Sequence, residues 1–171
     1  MKSTFKNILC LLILSSPFFP SFTQSLLVMG GSGYIDLLNA GIKFEYRQMQ
    51  AGLTVGTAWI DRKVSYTSSV DLFYHFAGKT KGVEIRPWYF RNGLHLFSNE
   101  DGASINKIWF LKTRVGKDIN LTDAFGLFIE AGTMFRVWQS YTDKDPADEK
   151  EAKVTFPACQ PGFGGGIFYR F

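Results

Sequence analysis

Cysteine is scarce: the chain has two, Cys10 and Cys159, in 171 residues. Cys10 lies inside an N-terminal apolar run with no small residue just before it, so it does not read as the acylated cysteine of a lipoprotein. If it leaves with a leader, Cys159 is single, which excludes an intramolecular disulfide and a cysteine metal cluster. An apolar run long enough to cross a bilayer as a helix is also missing. Such a helix needs about 20 residues, whereas the run at 8–14 stops at Ser15, Ser16 and Pro17. A basic stripe is lacking too: the pI is 9.1, but Lys and Arg are scattered along the chain, so no nucleic-acid surface is expected. No window after residue 25 combines a helical period with capping residues.

What is there begins with an export signal. Lys2 and Lys6 precede the short apolar run, Pro17 and Pro20 break it, and Ser21 and Thr23 flank Phe22 as a loose small-x-small cleavage site. Residues 1–24 therefore read as a cleaved signal peptide and 25–171 as one mature domain, since no linker, charge block or low-complexity stretch divides it.

The chain carries 17 Phe, 7 Tyr, 4 Trp and 17 Gly, a composition that strands accept more readily than helices. Side chains alternate across a strand, so one face collects the apolar set. At the C-terminus Phe163, Gly165, Ile167, Tyr169 and Phe171 share one face, and Gly164, Gly166, Phe168 and Arg170 the other. In 40–47, Ala40, Ile42, Phe44 and Tyr46 oppose Gly41, Lys43, Glu45 and Arg47. Over 127–138, Leu127 to Val137 at alternate positions oppose Phe128, Glu130, Gly132, Met134, Arg136 and Trp138. Trp109, Leu111, Thr113 and Val115 oppose Phe110, Lys112, Arg114 and Gly116, and Val70, Leu72, Tyr74 and Phe76 oppose Asp71, Phe73 and His75. Further strands are expected at 50–60 and, starting after Pro87, at 88–97. The segment 26–33 alternates poorly but supplies the eighth strand that an even-numbered barrel requires. The expected fold is all-β, an eight-stranded antiparallel up-and-down transmembrane barrel.

Connections at 48–49, 78–87 and 118–124 fall at one end of such a barrel. Those at 34–38, 61–67, 98–106 and 140–160 fall at the other, and longer loops there mark an outer side. The last of these holds Asp143, Lys144, Asp145, Asp148, Glu149, Lys150, Glu151 and Lys153, a solvated segment. Aromatic residues collect at both ends: Tyr46, Phe76, Trp88, Tyr89, Tyr169 and Phe171 at one, Tyr34, Trp59, Tyr66, Trp138 and Tyr141 at the other. Rings of this kind favour membrane interfaces. A soluble barrel of lipocalin type would share the alternation but turn its apolar face inward.

Gly165, Ile167, Tyr169 and Phe171 carry a resemblance to the small bacterial outer-membrane barrels of the OmpA transmembrane-domain and OmpX type. The GGGIFYRF ending and Gln24 at the cleavage site also look like barrels common in one large group of Gram-negative bacteria. The resemblance implies an outer-membrane location, contact with outer-membrane lipid, and recognition of Ile167, Tyr169 and Phe171 by the barrel-assembly machinery. It implies no activity.

In such a barrel Lys43, Glu45, Arg47, Asp71, His75, His95, Lys112, Arg114, Glu130, Arg136 and Arg170 would line the interior. Eight strands leave a lumen that side chains fill, so paired charges around Glu130 and Glu45 are expected in place of a pore. The chemistry-bearing candidates Ser69, Asp71, His75 and His95 share no catalytic spacing. Gly30, Gly31 and Gly33 lack the Lys-Ser or Lys-Thr pair of a phosphate loop, and the triplet at Asn120 to Thr122 is an incidental match to a glycosylation site. No enzyme, cofactor or metal site is expected. The expected role is structural or surface-interacting with an unidentified outer ligand, the alternatives being a narrow channel or a lipid-modifying enzyme.

Overall fold

The computed structural model describes residues 25–60, 63–80, 82–100, 104–143 and 157–171. The expected signal peptide with Cys10 and most of the charged segment at 143–153 lie outside the described residues.

Eight strands follow one another: β1 (Ser25–Gly33), β2 (Leu37–Tyr46), β3 (Met49–Ile60), β4 (Lys63–Ala77), β5 (Trp88–Glu100), β6 (Ser104–Asn120), β7 (Phe125–Asp143) and β8 (Cys159–Arg170). Each pairs antiparallel with the next, and β1 pairs with β8 from Leu27↔Arg170 to Gly33↔Gly164, which closes the barrel. Among the described residues, closure leaves no edge strand with unpaired backbone groups. The poorly alternating 26–33 segment is thus the closing strand. Its irregularity has a steric cause: a Cβ on Gly31 would lie 3.1 Å from the Phe128 ring, and one on Gly166, its partner across the seam, 2.8 Å. Glycine on both strands leaves that volume to Phe128.

Alternation sorts the side chains as expected over most of the wall. Lys43, Asp71, His75, His95, Lys112, Arg114 and Glu130 are buried inside, while Ile42, Phe44, Leu53, Val70, Leu72, Leu94, Leu111, Ile129 and Ile167 are exposed outside. The interior is thus polar at its centre and the exterior apolar.

Four expectations need correction. Trp138 points outward beside Trp109, because a bulge shifts the register from Trp109↔Trp138 to Phe110↔Arg136 and Val137 is the extra residue. Tyr89 does not join an interfacial ring; it is fully buried in the lumen. Arg47 sits in the two-residue turn with Gln48 at φ 53, where the chain leaves the strand and its side chain is exposed. Strands also run further than expected at the end bearing the 34–36 turn, pairing out to Ile60↔Lys63, Glu100↔Ile105 and Ser104↔Asp143. The stretches 61–67 and 98–106 are therefore mostly wall.

At the opposite end the 78–87 connection is tied across the barrel mouth. His75 Nδ1 lies 2.6 Å from the Arg86 carbonyl, the Arg86 guanidinium donates to the Phe76 carbonyl at 2.8 Å, and Gln48 Nε2 donates to the Glu84 carbonyl at 3.1 Å. Ile85, within this strap, is buried.

Candidate functional site

The lumen holds the densest chemistry. β4, β5, β6 and β7 each project a charge inward at period two, and the 34–36 turn adds one more. Arg91 links two carboxylates, to Glu130 Oε1 at 2.5 Å and to Asp71 Oδ2 at 2.7 Å. Arg114 links Glu130 Oε1, at 2.7 Å, to Asp36. Lys112 closes the circuit, 3.2 Å from Asp36 Oδ1 and 3.3 Å from Asp71 Oδ1. Three carboxylates and three cations thus alternate around a ring, so that no charge in it lacks an opposite neighbour. That is the condition under which buried ions are tolerated.

Hydroxyl groups satisfy further acceptors. Ser69 donates to Asp71 Oδ2 at 2.6 Å and lies 2.6 Å from Thr54 Oγ1, and Tyr89 donates to Glu130 Oε2 at 3.3 Å. His95 sits at the margin, its Nδ1 3.5 Å from Asp36 Oδ1. What space remains beside Asp36, Arg91 and Glu130 is a cavity of about 10 Å³, room for about one water molecule.

Apolar clusters bracket the ring. Ile35, Phe97, Ile108, Phe110 and Met134 pack together toward the 34–36 turn, and Leu27, Met29, Phe128 and Phe168 form a second cluster. Between them Lys43 lies 4.3 Å from the Phe73 ring centroid and 5.3 Å from that of Phe128, so its ammonium rests against π faces.

Asp36 reaches the ring because the β1–β2 turn folds inward. Ile35 has φ 70 and Leu37 φ 58, values that a β-branched residue such as Ile35 adopts only under compulsion. The compensation is visible: Ile35 is buried in the apolar cluster and Asp36 is held by Lys112 and Arg114. Burial alone would raise the Asp36 carboxyl, but Lys112, Arg114 and His95 outweigh it and hold that carboxyl well below the ordinary range.

Of the residues expected to form the network, Asp71, Lys112, Arg114 and Glu130 are ring members. Lys43 and His75 are buried but stand outside it. Glu45 and Arg170 pair with each other at the mouth, 3.4 Å apart and partly exposed, so Glu45 does not share the Glu130 network. Arg136 is half-buried beside the bulge and donates to Gln139 Oε1 at 2.8 Å. The catalytic candidates separate: Ser69, Asp71 and His95 are in or beside the ring, whereas His75 is bound to the strap at the far end.

Three functional residues escape the sequence reading. Arg91 shares the phase of His95 on β5, and Asp118 continues the Lys112–Arg114 face of β6, so period two alone could have found both. Asp118, like Lys43, is buried inside the barrel. Asp36 has no such signal, because it lies in a turn. A search of protein-family models and of curated proteins finds no match to this chain, so function rests on the fold and its lumen.

Proposed function

We propose that this protein is an integral outer-membrane barrel with a solid, ion-paired interior and a structural or surface-interacting role, without conductance or catalysis. The observation that carries this reading is the inversion of the usual globular pattern. Buried Asp71, Arg91, Lys112, Arg114 and Glu130 face inward, while more than two dozen large apolar side chains are exposed on the outside. A soluble monomer seldom exposes contiguous apolar area beyond a few hundred Å², and a lipocalin-like barrel would reverse the two faces. Hydrocarbon around the wall explains both.

Exposed Tyr46, Phe76, Trp88, Tyr169 and Phe171 at one end and Tyr34, Tyr66 and Trp138 at the other fit two interfacial girdles. On this reading the 34–36 turn faces outward from the cell and the strap at 78–87 faces the periplasm. The outward row of Ile167 and Tyr169 on β8, with Phe171 just after it, is what the assembly machinery would meet. Ser69, the nucleophile candidate, is buried and occupied by Thr54, Asp71 and Lys112, which leaves no approach for a lipid ester.

Cell fractionation followed by gel mobility with and without boiling tests the reading. The expected result is recovery with the outer membrane and a faster unboiled band, and recovery in the soluble periplasmic fraction would overturn it.

A further inference from the structure

The outer wall is largely apolar, and one polar track crosses four of its strands. Asn92 on β5 pairs in register with Thr113 on β6, Thr113 with Thr133 on β7, and Thr133 with Pro161 on β8. By alternation all four point outward, in phase with exposed Leu94, Leu111, Phe135 and Phe163. Asn92 lies four residues along β5 from Trp88, and Thr113 lies four along β6 from Lys117, whose ammonium rests 5.2 Å from the Trp88 ring. Taking Trp88 and Lys117 as marks of the interface, the tilted-strand rise puts both polar residues about 10 Å inside an apolar band about 25 Å tall.

Thr113 donates its hydroxyl to Asn92 Oδ1 at 2.9 Å. No described residue accepts from the two N–H groups of Asn92, and its side chain is exposed. In water those donors would be satisfied, whereas in hydrocarbon an unpaired amide costs several kcal/mol. The group that satisfies them must come from another molecule and carry an acceptor at this depth, where lipid tails carry none.

We propose that Asn92 and Thr113 are the centre of an interface between two copies of this chain, related by a two-fold axis along the membrane normal. This rests on the membrane reading above. Two barrels inserted in the same direction and related by that axis hold Asn92 at equal depth, so each amide meets its own counterpart. Each Nδ2 then donates to the partner copy's Oδ1, whose second lone pair the Thr113 bond leaves open. Phe90, Leu94, Leu111 and Val115, all exposed, surround the amide pair with apolar packing. Ala131 and Thr133 on the same side are small enough for close approach.

The test uses the full chain in its native membrane and then in detergent. In a Cys159→Ser background, Leu94→Cys, next to Asn92 on the outward face of β5, is expected to give an oxidised dimer, while Ile42→Cys, on the β2 wall across the barrel from the track, gives none. With the native cysteine retained, Asn92→Leu is expected to lower the dimer fraction about tenfold with the boiled and unboiled mobilities unchanged, and Asn92→Gln to retain it. A membrane-bound wild type that is monomeric, or equal cross-linking from positions 94 and 42, would overturn the proposal. Recovery of the wild type in the soluble fraction would overturn the membrane reading itself.

Discussion

Glu130 illustrates how much one side chain does in this lumen. Its Oε1 accepts from Arg91 and Arg114 and its Oε2 from Tyr89, so one carboxylate holds three residues from β5 and β6. Glu130→Gln keeps the shape but leaves two guanidinium groups short of a counter-charge. Removing one partner of a buried pair typically costs about 3–5 kcal/mol, because the cations left behind stay desolvated. The expected outcome is a barrel that loses its compact unboiled band at a clearly lower temperature than wild type. An unchanged transition would mean that the ring contributes nothing to stability. The presence of Glu130 inside was readable from its position opposite Leu127 and Ile129. Its partner Arg91 was equally readable in principle, because it stands in phase with Tyr89 and His95.

At the scale of elements, β7 shows where alternation stops being sufficient. Phe128, Glu130, Gly132 and Met134 follow period two into the lumen, and then Val137 is inserted without a partner opposite it. The insertion carries Trp138 outward beside Trp109, where a large ring is easily held; the lumen there is already filled by Phe110 and Met134. Deleting Val137 would remove the bulge and restore strict alternation, with Trp138 following inward Arg136 directly and still facing outward opposite Trp109. The deletion and Val137→Ala are both expected to give a folded barrel with a faster unboiled band, and loss of that band from the deletion alone would show that the bulge itself is needed for folding. The β1–β2 turn is the second element that local rules do not reach. Its positive φ values at Ile35 and Leu37 are imposed from inside by contacts with residues 76 and 78 positions away in sequence, through Lys112 and Arg114.

Considered as a whole, the molecule is a barrel closed in three ways. The apolar cluster under the 34–36 turn caps one end, the charge ring fills the middle, and the 78–87 strap with buried Ile85 covers the other mouth. With a cavity of only about 10 Å³ in the ring, no continuous water column is available. Purified protein added to planar bilayers is therefore expected to give no conductance steps above baseline, and reproducible unitary steps would show that the plug opens.

The sequence by itself determined the all-β class, the number of strands and the inward or outward phase of most wall residues, because period two is a local property that each segment carries without knowledge of its neighbours. Tertiary structure alone decided that Asp36 completes the ring, that Trp138 faces out and that Arg47 leaves the wall. Each of those depends on space and charge supplied by strands far along the chain. A turn folds inward only when the lumen presents cations to meet its carboxylate, and here Lys112 and Arg114 are those cations.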